Sequence, residues 1–519
     1  MKKRLNRTIA VIMAIMMMCA GTSCGSSDTM VSSEKMKSAE VYMDAEECAP
    51  SGDNMMIEGN SEEYDHNAEN TFLSTAEHPL STFSTDVDTA SFTNVRRMLD
   101  NGQEVAPDAV RTEEFINYFK YDYTAPQAGS ADKLSITTEL SDCPWNEQSK
   151  LMLIGLQAQD IEVKDIDSNI VFLIDVSGSM YTENKLPLVQ KAFAMLAENL
   201  GANDRISIVT YAGADEVVLE GESGSNYSDI CKALDSLRAG GGTAGAAGIN
   251  TAYSIAEKYF IEGGNNRVIL ATDGDLNIGV SSKEGLTSLI EEKRDNGIYL
   301  SVLGFGMGNY KDNKLEALAD NGNGNYAYID TIDEARRVLV TEMNGTLFTV
   351  AKDAKVQVEF DPKTVSAYKL VGYENRLLSE KDFADDTKDA GDIGAGQQVT
   401  VLYEIIPAGS EMRANSNTNE PVPCSFDGLE GRLLNVSVRY KERDENESKL
   451  IEMPVEIGSY VTPESISDNM KLACSAAMFA KTLGNSEEKY TAEQIRKYAE
   501  GISLDSSELL NMLEKYERL

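Results

Sequence analysis

The chain has 519 residues, 42% of them hydrophobic, with 85 acidic against 47 basic side chains and a formal net charge of −38. That length exceeds one ordinary domain. The charge repels nucleic acid and anionic lipid headgroups, which excludes a nucleic-acid role, and it favours cation binding. Only two histidines are present, His66 and His78, both ahead of the motif-rich region, so a histidine zinc site or a Ser-His-Asp triad lacks its material.

Residues 1–23 read as an export signal: Lys2, Lys3, Arg4 and Arg7 precede an apolar stretch too short to span a bilayer. Ala20-Gly21-Thr22-Ser23-Cys24 then resembles a bacterial lipobox, with Gly21 where Leu is usual. Cys24 would carry the lipid; the alternative is a plain cleaved signal. Residues 24–79 are polar and acidic without apolar periodicity, and predict a disordered tether. Cys48, Cys143, Cys231, Cys424 and Cys474 are scattered, with no C-x-x-C pair, and their pairing is not legible; Cys231 and Cys474 fall in helical patterns as buried thiols.

Residues 80–130 predict a helical region. Phe92, Val95, Met98 and Leu99 fall at helical spacing, and Val110, Phe115, Ile116 and Phe119 do so again, with Pro107 and Asp108 at the start of the second helix. Ser84-Thr85-Asp86-Val87-Asp88-Thr89 has two readings, a metal loop or a helix cap with acids near the positive dipole end, and the cap is preferred. Residues 131–165 alternate apolar and polar as antiparallel strands. Residues 166–346 alternate strands (170–175, 205–212, 215–220, 267–272, 298–305, 325–329) with helices (186–200, 227–238, 245–260, 284–296, 312–320, 332–344). This predicts an α/β doubly wound sheet of six strands, mostly parallel, with 215–220 an antiparallel edge. Residues 347–460 return to strand alternation, so one β-sandwich built from both flanks, with the α/β domain inserted in it, is expected. Residues 461–519 are helical again.

In such a sheet ligands bind beyond the carboxyl ends of the strands. Three oxygen-rich loops occupy that edge: Asp175-x-Ser177-x-Ser179 after the apolar run Val171-Phe172-Leu173-Ile174, then Gly240-Gly241-Gly242-Thr243, then Asp273 after the strand 267–272. Mg²⁺ takes about six oxygens and keeps waters readily. Two carboxylates and three hydroxyls fill part of that shell and leave room for a partner's carboxylate.

These five residues, in order and spacing, resemble the metal-ion-dependent adhesion site (MIDAS) of von Willebrand factor type A (VWA) domains. The resemblance implies that Ser177, Ser179 and Thr243 coordinate directly and that Asp175 and Asp273 act directly or through water. Asp275 is outside the pattern and reads as a surface acid. Residues 81–92 and 113–119, with Val438-Arg439-Tyr440-Lys441 and residues 472–483, resemble the flanks of a bacterial family of exported, often lipid-anchored VWA proteins with a C-terminal domain of unknown function.

The expected function is a metal-dependent binding module using Mg²⁺ (Mn²⁺ or Ca²⁺ as alternatives), anchored by lipid on the outer face of the cell membrane. Its partner would be a protein offering an Asp or Glu carboxylate. The alternatives are a metal-independent envelope scaffold and a metal-dependent hydrolase. The enzyme reading is weak. Aspartyl phosphoryl transfer would want a carboxylate at the position of Ser177, and there is neither a Gly-Lys-Ser/Thr phosphate loop nor a Gly-x-Ser-x-Gly elbow.

Overall fold

The computed structural model describes residues 62–519 apart from 67, 87, 161–165, 243–244, 275–282, 309, 343–344, 346–347, 389, 411–429, 444 and 446. The expected signal, Cys24 and the first part of the tether lie outside the described residues. No helix among the described residues is long and apolar enough to cross a membrane.

The tether expectation ends early, because the acidic residues of 62–79 find basic partners. Glu62 accepts from Arg97 at 3.0 Å, Lys311 donates to Glu63 at 2.8 Å, and Lys481 donates to Glu69 at 2.6 Å. This strap leads to β1 (Leu73–Ser74) and β2 (Leu80–Ser84), then α1 (Ala90–Asp100). The strand β2 falls where only helix was expected. The second expected helix is split: Pro107–Ala109 is a separate 3₁₀ turn, Val110 is extended, and α2 runs only over Thr112–Asn117.

Strands β3 (Leu134–Asp142) and β4 (Lys150–Ala158) follow. After the inserted α/β unit come β11 (Thr349–Phe360), β12 (Val365–Val371), β13 (Gly391–Gly394), β14 (Gln398–Pro407), β15 (Arg432–Glu442) and β16 (Ser448–Glu456). They form two sheets, in the orders β1-β12-β14-β4-β3 and β13-β11-β15-β16, with β2 paired to β11. Both sheets therefore take strands from both flanks. Their shared core holds Met152, Ile154, Val356, Val401, Val436 and Tyr403. On β4 the intervening Leu151 and Leu153 point the other way, into a second core with Phe92, Phe115 and Phe479. That core is covered by α1, α2 and the C-terminal helices α9 (Asp468–Leu483), α10 (Ala492–Ala499) and α11 (Ser507–Tyr516). Burial on both faces explains why β4 carries the unbroken run Leu151-Met152-Leu153-Ile154, where alternation with polar residues was expected.

The inserted unit is β5 (Ser168–Asp175), α3 (Leu186–Ala197), β6 (Arg205–Tyr211), β7 (Asp215–Ser223), α4 (Tyr227–Ser236), α5 (Gly245–Lys258), β8 (Asn265–Thr272), α6 (Lys283–Asp295), β9 (Ile298–Phe305), α7 (Asp312–Asn321), β10 (Tyr326–Ile329) and α8 (Ile332–Arg336). The sheet order is β10-β9-β8-β5-β6-β7. All pairs are parallel except the β6–β7 hairpin, which forms the expected antiparallel edge. Phe172 and Ile174 enter the core on one face of β5, and Val171 and Leu173 enter the core on the other.

Three buried arginines from the flanks grip this unit. On α7, Asp312, Glu316 and Asp320 fall four residues apart, so they share one helix face. Arg111 donates to Asp312 at 2.5 Å and is ion-paired to Glu114; Arg376 reaches Glu316 at 2.8 Å and Asp320 at 2.9 Å; Arg96 reaches Asp330 at 2.5 Å and Glu334 at 3.0 Å. Burial opposes the charge on Arg111, but Asp312, Glu114 and Glu316 override it and hold the guanidinium firmly charged. The loop of Asp86 and Asp88 is part of this clamp rather than a helix cap. Both carboxylates face Arg376, at 3.0 and 3.3 Å, and Thr89, which precedes α1, makes no side-chain cap bond. Burial, and then the charge of Asp86, push the Asp88 carboxyl well above its usual range, against Arg376.

Removing one partner of a fully buried ion pair costs about 3–5 kcal/mol. Arg111→Met is therefore expected to lower unfolding free energy in urea at neutral pH by about that amount. Adding Asp312→Asn and Glu114→Gln should recover part of the loss, because the stranded charges go with it. A single-variant loss under about 1 kcal/mol would show that the clamp is not structural.

Candidate metal centre

The apolar run of β5 drives its last residue to the sheet edge and buries it: Asp175 is wholly buried and pairs in register with Tyr211 of β6. The chain then turns tightly. The Val176 N–H donates to Tyr211 O at 3.0 Å, and the Ser177 N–H donates to Asp175 Oδ1 at 2.8 Å. A short 3₁₀ turn, Gly178–Tyr181, carries Ser179 outward, with Ser177 Oγ and Ser179 Oγ 3.0 Å apart. From β8, Thr272 donates to Asp175 Oδ2 at 3.2 Å, and Asp273 follows, 2% exposed.

The glycine loop is tied to this turn by its backbone: Gly240 N–H to Val176 O at 2.8 Å and Gly178 N–H to Gly241 O at 3.1 Å. Gly241 has φ of +86°, a conformation that side chains with a Cβ rarely adopt. The structure thus brings Asp175, Ser177, Ser179 and Asp273 to the edge formed by β5 and β8. Thr243 and Asp275 lie outside the described residues.

Burial pushes the Asp175 carboxyl up to about 6; the Ser177 hydrogen bonds oppose this, and the charge of Asp273 adds to it. Among the described residues, two carboxylates and two hydroxyls meet here with no imidazole or thiolate ligand, a set that fits a hard divalent cation. The arrangement places a nucleophile-like hydroxyl at Ser177 but supplies no histidine beside it.

A second acidic group, Asp86, Asp88 and Asp320, also has ligand atoms within 4.8 Å of one another, but Arg376 already pairs with all three. Among the described cysteines, Cys143, Cys231 and Cys474 are free thiols; Cys474 is buried as expected, whereas Cys231 is half-buried.

Comparison with known families follows the same division of the chain. Residues 169–340 match the von Willebrand factor type A domain, residues 58–153 match a model described as von Willebrand factor, and residues 345–519 match the C-terminal region of uncharacterized protein YfbK. Uncharacterized protein YfbK of Escherichia coli (strain K12) is 41% identical over 434 residues, covering 82% of this chain and 75% of that one. The chain belongs to the YfbK family of VWA-domain proteins. Uncharacterized protein sll0103 of Synechocystis is 28% identical over 192 residues, 37% of this chain and 44% of that one. A solved von Willebrand factor type A protein from Catenulispora acidiphila is similar at 16% identity, covering 71% of this chain and 79% of that chain with a TM-score of 0.39.

Two residues at the site escaped the sequence reading. Thr272 falls in the oxygen-rich loop that ends the strand 267–272, but its hydroxyl was given no role. Lys185 lies ten positions after Asp175, just ahead of the expected helix 186–200, and nothing local marks it as more than a surface residue. Its Nζ instead donates to Asp273 Oδ2 at 2.9 Å, with the two side chains 10% and 1% exposed.

The raised Asp175 carboxyl has a signed consequence. Its folded value lies above the unfolded one, so its stability contribution is full below about pH 4 and is lost as pH rises through about 6. In chelator, Asp175→Asn is expected to be more stable than the parent at pH 7.5 by about 1–3 kcal/mol. The two should converge at pH 4, when compared by urea unfolding. A parent chain more stable than Asp175→Asn at pH 7.5 would contradict this account of the buried charge.

Proposed function

We propose that this protein is an exported, lipid-anchored envelope protein that captures an acidic group of a protein partner through a divalent cation. Asp175, Ser177, Ser179, Thr243 and Asp273 would hold that cation. The observation that carries the reading is the oxygen-only set at the β5–β8 edge, where a fully buried carboxylate faces a second acid and two hydroxyls. A cation bound there supplies a Lewis-acidic point with an open position for a carboxylate oxygen. Mg²⁺ suits the set best on hardness, with Mn²⁺ or Ca²⁺ as alternatives.

Two further features support protein capture rather than catalysis. No histidine or third carboxylate stands beside Ser177 to activate it among the described contacts. The rim carries exposed apolar side chains: Tyr181, two residues past Ser179, is 75% exposed, and Met307 is 42% exposed in the loop that covers Lys185. Aromatic and methionine side chains are favoured contacts in protein interfaces. Placement outside the membrane rests on the basic and apolar first residues and on Cys24.

At millimolar Mg²⁺ the full chain is expected to gain about 1 kcal/mol over the chelated form, read as about 1 °C in Tm. Ser177→Ala should abolish the gain, each form being compared with its own chelated Tm. Envelope partners should be retained in Mg²⁺, released in EDTA, and not retained by Ser177→Ala. Capture that persists unchanged in EDTA would favour a metal-independent scaffold instead. Ester or phosphate hydrolysis lost with Ser177→Ala would favour a hydrolase.

A further inference from the structure

Lys185 is a basic side chain that touches one of the proposed metal ligands, Asp273. Its place is built rather than incidental. The Lys185 backbone carbonyl accepts from Leu188 and Val189, both at 2.9 Å, which fixes the residue at the start of α3. Its methylene stem lies under Gly306, so close that a Cβ at position 306 would fall inside the stem. Gly306 has φ of +78°, and its carbonyl accepts from the buried Tyr328 hydroxyl. Its loop is held in turn by the N-terminal strap: the Gly308 N–H donates to Glu62 Oε1 at 3.0 Å and the Glu63 N–H to Tyr310 O at 3.1 Å. The lysine therefore has little freedom to swing out to solvent.

We propose that Lys185 is an internal counter-cation of the metal site. It neutralises Asp273 in the metal-free chain, competes with a metal for that carboxylate, and leaves the loaded site with a net positive charge that selects an anionic ligand. The proposal rests on the metal-binding reading above. The charge count is simple. Among the described groups, Asp175 and Asp273 with Lys185 carry one net negative charge when ionised, and a divalent cation would convert this to one net positive charge. Without Lys185 the loaded site would be neutral, and a carboxylate would gain little beyond coordination. With it, in a buried and weakly screened position, an incoming carboxylate meets an uncompensated charge. The same repulsion must weaken the metal itself, so the site gives up metal affinity for selectivity toward anions.

The test uses the full chain with Lys185→Met and Lys185→Gln. The first keeps the apolar stem, and the second keeps a hydrogen-bond donor for Asp273 if Met disturbs folding. Two quantities are read: Mg²⁺ affinity by calorimetry, and acetate uptake by the Mn²⁺-loaded chain, followed through the relaxation of metal-bound water. Both variants are expected to bind Mg²⁺ about tenfold more tightly and acetate at least about threefold more weakly than the parent. Mg²⁺ binding that is equal or weaker in both variants overturns the counter-cation and leaves the metal site standing. Tighter Mg²⁺ with unchanged acetate uptake also overturns the proposal, since the charge would then select nothing. No Mg²⁺ binding by parent or variants overturns this inference and the metal-site reading together.

Discussion

The arrangement of the whole molecule depends on buried guanidinium groups reaching from the flanks into one acidic side of the α/β unit. Arg96 and Arg111 come from the N-terminal region and Arg376 from the sandwich, and between them they engage α7, the end of β10 and α8. Each is under 10% exposed, so the desolvation cost is large and only close multidentate pairing offsets it. Such pairs add little net stability over apolar contacts of equal volume, but they penalise every arrangement that leaves an arginine unpaired. They therefore set where the inserted unit sits. An α/β unit separated from its flanks would strand Asp312, Glu316, Asp320, Asp330 and Glu334 without these cations.

The same dependence reaches the metal edge by a second route. Residues 62–65 are not part of the α/β unit, yet Glu62 and Glu63 bind the loop that covers Lys185, while Arg97 of α1 holds Glu62 from the other side. Gly274, next to Asp273, lies so close to the backbone of Tyr310 and Lys311 that a Cβ there would collide with it. The segment leading toward the N-terminus, the covering loop and the acidic edge are thus in continuous contact. The covering loop also presents Met307. In this geometry the chemistry at Asp273 and the apolar rim beside it are positioned from outside the domain that carries the motif.

What was legible in the sequence follows from which forces leave a local trace. A strand buried on both faces, such as β5, leaves a continuous apolar run, and helices with one apolar face leave a period, so both were placed within a few residues. The motif was legible because its oxygens sit at fixed offsets after a strand. Besides the two-residue β1 inside the expected tether, three strands were missed for physical reasons. The strand β2 contributes mainly Phe83 to the core, β13 is Gly-Asp-Ile-Gly, and β12 carries Lys369, which reads as a surface residue but is buried against Glu404 at 2.9 Å. The arginine clamp left no trace at all. Arg96 and Asp330 are 234 positions apart and Arg111 and Asp312 are 201 apart, and nothing local marks either as a partner. Lys185 and Asp273, 88 positions apart, were invisible in the same way. Apolar burial is written along the chain; charge pairing across the fold is not.

The net charge of −38 gives that invisible pairing its functional weight. A surface so acidic opposes the approach of any partner that offers a carboxylate, and the opposition is felt until salt screens it, at about 8–10 Å. Capture of an acidic group therefore cannot be steered from a distance and must be won at contact. A neutral metal site would provide coordination but no local reversal of the field. A divalent cation beside Lys185 would reverse the sign locally, on a chain whose net charge is strongly negative. Under the proposal, an anion that reached the metal would meet both an open coordination position and an unbalanced positive charge. On this argument the acidity of the surface and the buried lysine work together, the first excluding weak encounters and the second holding the contact that succeeds.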